Sequence, residues 1–146
     1  MRIQKEAIMS LGRILIVDDE ADVRKSVRLT LSKAGYDVVE AEDGEKAMEA
    51  IRKGDNPMRV DTIICDIQMP KINGMEAIAY FRSQFPSVPV VVMTGKPNLE
   101  GSTELFKKGI VDYLVKPVEA ERLVDVVNKA AKGHNIFKGD TSKIRP

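Results

Sequence analysis

The stretch Thr62-Ile63-Ile64-Cys65-Asp66 decides the fold of this chain. Four uncharged and mostly β-branched residues precede the acid, which is typical of a strand that is buried on both faces. Pro70, Asn73 and Gly74 follow as turn residues. Asp66 is therefore predicted at the carboxyl end of a central strand, at the edge where open parallel sheets bind ligands. Taken alone, an acid in this place more often caps a turn.

Strand patterns alternate with helical patterns along the rest of the chain. The weakest is the fourth helix, at about 98–108, because Gly101, Ser102 and Thr103 lower its intrinsic helicity. A loop that contains Pro57 is expected at 55–60. Five strand–helix units predict an α/β fold with a parallel sheet between two layers of helices. The strands are predicted at 13–17, 36–41, 62–66, 88–93 and 112–115.

Length and composition predict one soluble domain. The 146 residues fit a single domain of ordinary size, expected at 13–132 between an N-terminal extension (1–12) and a polar C-terminal tail or linker (133–146). With 23 basic and 22 acidic residues the net charge is +1, which gives no overall attraction to nucleic acid or to a membrane surface. Cys65 is the single cysteine, no signal-peptide pattern is seen, and no apolar run could cross a bilayer, so we expect a cytoplasmic protein.

Polar residues stand at the carboxyl ends of four predicted strands. Asp18 and Asp19 follow the first strand, Asp66 ends the third, Thr94 the fourth and Lys116 the fifth. The carboxyl ends of parallel strands share one edge of a sheet, so three acids, a hydroxyl and an amine should converge there. Simpler explanations exist for single members: Asp19 could cap the first helix, Thr94 could cap the fourth helix or its loop, and Lys116 could be a solvated lysine at the end of a strand. Their joint occurrence at successive strand ends favours a common site.

The chemistry of this set points to phosphoryl transfer. Two carboxylates about 4 Å apart repel by about 4 kcal/mol at an effective dielectric constant near 20, so the acids need a cation. Hard oxygen ligands suit Mg²⁺, with Mn²⁺ as an alternative. An aspartate can act as a covalent nucleophile, here Asp66. A lysine and a hydroxyl, Lys116 and Thr94, can bind the oxygens of the phosphoryl group.

Four motifs together resemble the receiver domain of two-component response regulators. They are Ile14-Leu15-Ile16-Val17-Asp18-Asp19-Glu20, Asp66-Ile67-Gln68-Met69-Pro70 with Gly74 after it, Val92-Met93-Thr94-Gly95, and Asp112-Tyr113-Leu114-Val115-Lys116-Pro117. The resemblance covers about residues 12–132. It implies a flavodoxin-like, doubly wound (βα)5 domain with strand order 2-1-3-4-5.

The resemblance also implies a phosphoacceptor and a metal site. Asp66 would accept a phosphoryl group from the phosphohistidine of a sensor kinase or a phosphotransfer protein. Asp18 and Asp19 would hold Mg²⁺ together with Asp66, and the backbone carbonyl of Gln68 would be a further ligand. The protein would catalyse only its own phosphorylation and dephosphorylation and would not be an enzyme with an external substrate.

A conformational switch is implied as well. Thr94 and Lys116 would bind the phosphoryl oxygens, and Tyr113 matches the rotating aromatic residue of the family. The signal would leave through the fourth helix, the fifth strand and the fifth helix. Lys116-Pro117 matches a peptide bond that is cis in the family. The partner would be a downstream protein or an output domain, without nucleic-acid contact by this domain, and the domain would be a monomer or a phosphorylation-linked homodimer.

Two other classes of function compete with a receiver. A haloacid-dehalogenase-like phosphatase or phosphotransferase would also use an aspartate nucleophile, but it would have a second acid where this chain has Gln68. A nucleotide- or flavin-binding module would have a glycine-rich or hydroxyl-rich phosphate loop after the first strand. The acidic run 18–20 stands there instead and would repel phosphate without a metal.

Overall fold

A computed structural model describes residues 10–69 and 74–137, with the side chains of 135–137 excepted. Five parallel strands form one sheet in the order β2-β1-β3-β4-β5, which confirms the predicted fold class and strand order. The predicted turn at Pro70 and Asn73 and the outer parts of both predicted termini lie outside the described residues. The strands are β1 (Arg13–Val17), β2 (Asp37–Ala41), β3 (Val60–Asp66), β4 (Val90–Thr94) and β5 (Asp112–Val115).

Helices connect the strands in the predicted alternation, with one addition. The segment predicted as a loop contains a one-turn helix, and Pro57 stands in its first turn, where a missing N–H leaves no hydrogen bond unmade. The predicted fourth and fifth helices are therefore α5 and α6. The helices are α1 (Ala21–Lys33), α2 (Gly44–Arg52), α3 (Asn56–Arg59), α4 (Gly74–Gln84), α5 (Leu99–Lys107) and α6 (Ala120–Phe137).

Both faces of the sheet are covered, because side chains alternate along each strand. Leu15, Ile63 and Val92 belong to one apolar cluster, which also contains buried residues of α2, α4 and α5. Ile16, Ile64 and Met93 belong to the other, with residues of α1 and α6. Burial on both faces explains why these strands are continuous apolar runs.

The fold extends beyond the predicted boundaries at both ends. Residue 11, assigned to an N-terminal extension, donates its backbone N–H to the carbonyl oxygen of Gly35 at 2.9 Å. At the other end α6 continues past Gly133 to Phe137, where a polar tail was predicted from residue 133. His134 in this last part is buried, and its Nδ1 lies 3.0 Å from Oδ1 of Asp61. Residues 10–12 and 133–137 thus belong to the folded unit.

Candidate functional site

The strand register brings the predicted residues to one edge of the sheet. Val17 is opposite Cys65, so Asp18 and Asp66 leave adjacent strands at the same level. On the next strands Asp66 is opposite Met93, and Thr94 is opposite Val115. Lys116 continues from Val115 and donates its N–H to the carbonyl oxygen of Thr94 at 2.8 Å. The expected convergence is therefore present in the fold.

Lys116 lies at the centre of the acidic residues. Its Nζ is 2.8 Å from Oδ2 of Asp18, 2.9 Å from Oδ2 of Asp66 and 2.9 Å from Oε1 of Glu20. The Lys116 side chain is 14% exposed, so the alternative of a freely solvated lysine is wrong. Burial alone would lower the pKa of Lys116, but its contacts with Asp18, Asp66 and Glu20 outweigh burial and raise that pKa.

Asp18 is a fully buried carboxylate with an incomplete set of partners. Its Oδ1 accepts the backbone N–H of Glu20 at 2.8 Å. Its Oδ2 faces the Lys116 ammonium but accepts no well-aligned hydrogen bond from the described residues. Burial raises the pKa of Asp18, and the charge of Asp66 adds to this, while Lys116 and the Glu20 N–H oppose it. A buried acid with a poorly satisfied oxygen is suited to a further cationic ligand.

Asp19 and Glu20 complete the acidic cluster. Carboxylate oxygens of Asp18, Asp19, Glu20 and Asp66 all lie within 4.8 Å of one another. Asp19 is exposed and does not cap α1, because Glu20 holds the N-cap position and makes no side-chain cap. Four carboxylates and one ammonium leave a net negative site of hard oxygens, which fits a divalent cation such as Mg²⁺. Glu20 was not among the predicted ligands, although it is the third acid of the run.

The loop after β3 is held close to Asp66. Oδ1 of Asp66 accepts the N–H of Gln68 at 2.9 Å, so the carboxylate also caps this turn. Gln68 is exposed, and its carbonyl remains a predicted ligand. Gly74 begins α4 directly against this segment, where an added Cβ would lie 2.2 Å from the Asp66 carbonyl oxygen and 2.3 Å from Cα of Ile67. Glycine is therefore required at 74 for the observed chain path.

The predicted switch residues occupy the last two strands. Thr94 is fully buried at the end of β4, and its Oγ1 accepts the N–H of Lys96 at 3.1 Å, which is the local loop cap considered above. Tyr113 is half-buried in β5, at the edge of the sheet, and packs on the cluster that contains Val92. The Lys116–Pro117 peptide bond is cis, as the resemblance implied. The rotation of Tyr113 stays a prediction.

Comparison with protein families agrees with this geometry. A family model described as "Response regulator receiver domain" matches residues 14–128. The chain belongs to the response regulator receiver domain family. It is thus a receiver domain of two-component signalling, and receiver domains of response regulators work with kinases and output domains.

Individual relatives cover this domain to different extents. The chain is 34% identical over 121 residues to the chemotaxis protein CheY of Thermotoga maritima. This match covers 82% of this chain and 98% of that protein. It is 30% identical over 132 residues to the transcriptional regulatory protein ZraR of Escherichia coli O157:H7, covering 90% of this chain but 29% of ZraR. The chain spans less than half the length of the curated relatives that match it first.

Solved structures show the same fold. A response regulator receiver domain protein from Clostridium thermocellum superposes with a TM-score of 0.80 at 27% identity, over 86% of this chain and 98% of that one. None of the helices in the described ranges has the length and apolar character to cross a membrane.

Proposed function

We propose that Asp66 accepts a phosphoryl group from the phosphohistidine of a sensor histidine kinase or phosphotransfer protein. The observation that carries this proposal is the Lys116 ammonium within 2.9 Å of both buried aspartates, Asp18 and Asp66, at the carboxyl edge of the sheet. An oxygen of Asp66 would form the new bond to phosphorus. The bond between phosphorus and the donor imidazole would break, with its electron pair going to the imidazole nitrogen.

The reaction is proposed to depend on Mg²⁺, which is typical of the receiver family, with Mn²⁺ as a substitute. Asp18, Asp19, Asp66 and the Gln68 carbonyl would hold the ion, which when bound supplies positive charge to the phosphoryl oxygens. Lys116 would pair with another phosphoryl oxygen. The Thr94 hydroxyl accepts the Lys96 N–H and still has its own proton to donate to a third. The chain would act only on itself and turn over no external substrate.

The phosphoacceptor is tested by labelling with acetyl phosphate and Mg²⁺, followed by mass spectrometry of the intact protein. We expect one added phosphoryl group in the wild type, and none after Asp66→Asn or after removal of Mg²⁺. Asp22→Asn is the matched control, because it removes an exposed acid from the first turn of α1 and should leave labelling intact. Equal labelling of Asp66→Asn and the wild type would overturn the assignment.

Signal output is proposed through the face of α5, β5 and α6. A dianion on Asp66 would attract the Thr94 hydroxyl and pull the loop after β4 inward, opening space for the ring of Tyr113. Exposed apolar side chains on these elements support a partner surface, with Leu99 84% and Phe106 48% exposed on α5 and Val115 47% exposed on β5.

Amide exchange over residues 98–115, with and without phosphorylation, tests this route in the wild type and in Thr94→Ala. Changes that disappear in Thr94→Ala support coupling through the hydroxyl. Undiminished changes in Thr94→Ala, or unchanged exchange in the wild type, would contradict it.

The proposed partners are a downstream protein or an output domain, contacted by a monomer or by a homodimer formed on phosphorylation. We propose no nucleic-acid contact by this domain, since its net charge is +1. We place its action in the cytoplasm, in line with the reduced state expected of its single cysteine, Cys65. Light scattering before and after phosphorylation tests the oligomeric state.

A further inference from the structure

Arg24 connects the acidic loop to the neighbouring strand. It lies one turn into α1, and its side chain is largely buried. Its Nη1 donates to the backbone carbonyl oxygen of Asp18 at 2.7 Å. Its Nε donates to Oε1 of Glu40, near the carboxyl end of β2, at 3.2 Å. One guanidinium group thus links α1, the β1–α1 loop and β2.

The end of β2 fixes both backbone polar groups of Asp18, the N–H directly and the carbonyl through Arg24. The N–H of Asp18 donates to the carbonyl oxygen of Ala41 at 3.1 Å. Its carbonyl accepts from Arg24, which the adjacent Glu40 holds in turn. With Oδ1 taken by the Glu20 N–H, both backbone groups and one carboxylate oxygen are fixed. Oδ2 is then the oxygen that remains directed at the site.

Arg28 provides an internal comparison on the same helix. It lies four residues after Arg24 and donates to the other oxygen of Glu40. Of these two arginines, Arg24 and not Arg28 donates a hydrogen bond to the backbone of Asp18. The two arginines carry the same charge and bind the same carboxylate. They differ in one contact, because Arg24 also binds the loop that carries Asp18.

We infer that Arg24, oriented by Glu40, is a positioning residue for the metal site of this receiver domain. The inference rests on the function proposed above. Arg24 fixes the carbonyl of Asp18 and thereby the direction of the Asp18 carboxylate. Groups behind a metal ligand that orient it commonly change metal affinity by about 10- to 100-fold when they are removed.

The charge of Arg24 and its contact with Asp18 predict opposite changes in Mg²⁺ affinity when Arg24 is replaced. A guanidinium near the acids repels a divalent cation, so its charge alone predicts tighter Mg²⁺ binding after Arg24→Gln. Loss of its hold on Asp18 predicts weaker binding. We expect the Kd for Mg²⁺ to rise about 10-fold in Arg24→Gln. In Arg28→Gln, which makes the same charge change, the Kd should stay the same or fall slightly.

The test is isothermal titration of Mg²⁺, because the chain has no tryptophan to report binding by fluorescence. Glu40→Gln should weaken binding less than Arg24→Gln, since Arg24 keeps its contact with Asp18. Arg24→Lys should recover part of the affinity, because an amine can reach one carbonyl but cannot also hold Glu40 in the same geometry. Urea midpoints check that each variant is folded. If Arg24→Gln does not fold, the Mg²⁺ affinities of Arg24→Lys and Glu40→Gln are compared with that of Arg28→Gln instead.

A second measurement does not need the metal. In metal-free protein the amide of Glu20, which donates to Asp18, should exchange several-fold faster in Arg24→Gln than in Arg28→Gln. Equal exchange in the two variants, or Mg²⁺ binding by Arg24→Gln as tight as by Arg28→Gln, would overturn the inference. A wild type that binds no Mg²⁺ would instead contradict the proposed function, while the exchange comparison would still decide the role of Arg24.

Discussion

The buried pair of His134 and Asp61 predicts that the last turns of α6 stabilise the whole domain. His134 is 4% exposed and Asp61 is fully buried, and Nδ1 and Oδ1 of the two side chains are 3.0 Å apart. Oδ2 of Asp61 also accepts the N–H of Arg13 at 3.3 Å, so the carboxylate connects α6 to the start of β1. The perturbation is His134→Ala, which removes the imidazole and leaves Oδ1 without that partner.

The expected cost follows from burial and from the lost contact. Removing one hydrogen-bond partner of a buried polar group costs about 1–3 kcal/mol, and more where that group is charged. We expect His134→Ala to lower the free energy of unfolding by about 3 kcal/mol. For a domain of this size such a loss lowers Tm by roughly 6–12 °C.

Urea unfolding, analysed as a double-mutant cycle with Asp61→Asn, measures this contribution. The coupling energy between His134 and Asp61 should be about 1–3 kcal/mol. Lys132→Ala is the matched control, since it removes an exposed side chain from the same helix. A chain ended after residue 132 should lose at least as much stability as His134→Ala.

A loss in His134→Ala no larger than in Lys132→Ala would refute this reasoning. The pair lies at the edge of the sheet opposite to Asp66, because Asp61 is near the start of β3 and Asp66 at its end. Labelling of Asp66 in folded His134→Ala should therefore remain at the wild-type level. A selective loss of labelling at equal folded fraction would also contradict a purely stabilising role.

Lys96 is exposed two residues after Thr94, so Lys96→Ala should speed dephosphorylation several-fold, about 1 kcal/mol, if its charge screens the acyl phosphate from water; an unchanged or slower rate counts against this. Asp18→Asn should raise the metal-free free energy of unfolding by about 1 kcal/mol, because it removes a buried charge, and should abolish stabilisation by Mg²⁺ in a thermal melt. Gly74→Ala should slow labelling of Asp66 and destabilise the domain by about 1–3 kcal/mol, because its Cβ would overlap the Asp66 carbonyl; wild-type rates and urea midpoint would contradict the close approach.

Much of the fold was predictable because the strands are apolar on both faces. Runs such as Ile63-Ile64-Cys65 indicate burial without ambiguity, and the alternation with helices then fixes a parallel sheet. The predicted β3 begins at Thr62, two residues after its observed start at Val60, because a buried acid interrupts the apolar pattern at Asp61. That acid is tolerated where His134 and the Arg13 N–H hold it, and both partners are distant in sequence.

Helix ends were harder to predict, because local propensity and tertiary contacts disagree there. Gly133 lowers helicity and favoured a tail, but burial of His134 one residue later holds the helix together. Pro57 favoured a loop, yet proline is accepted in the first turn of α3. The strand-end residues of the candidate site followed from the sequence alone. The contact between Arg24 and Glu40 could not be predicted in this way, since it joins α1 to β2 and depends on how the two elements pack.

The partners of the buried acids separate structural from functional carboxylates. Asp43 is buried but caps α2 by accepting the N–H of Lys46, and Asp61 is held by His134 and the Arg13 N–H. Asp18 is equally buried, yet its Oδ2 has an ammonium nearby and no well-aligned donor among the described residues. Evolution of a stable fold alone would favour an amide or an apolar side chain there, because an ionised group with incomplete partners costs stability. Incomplete satisfaction, more than burial, therefore marks Asp18 as a residue kept for a ligand.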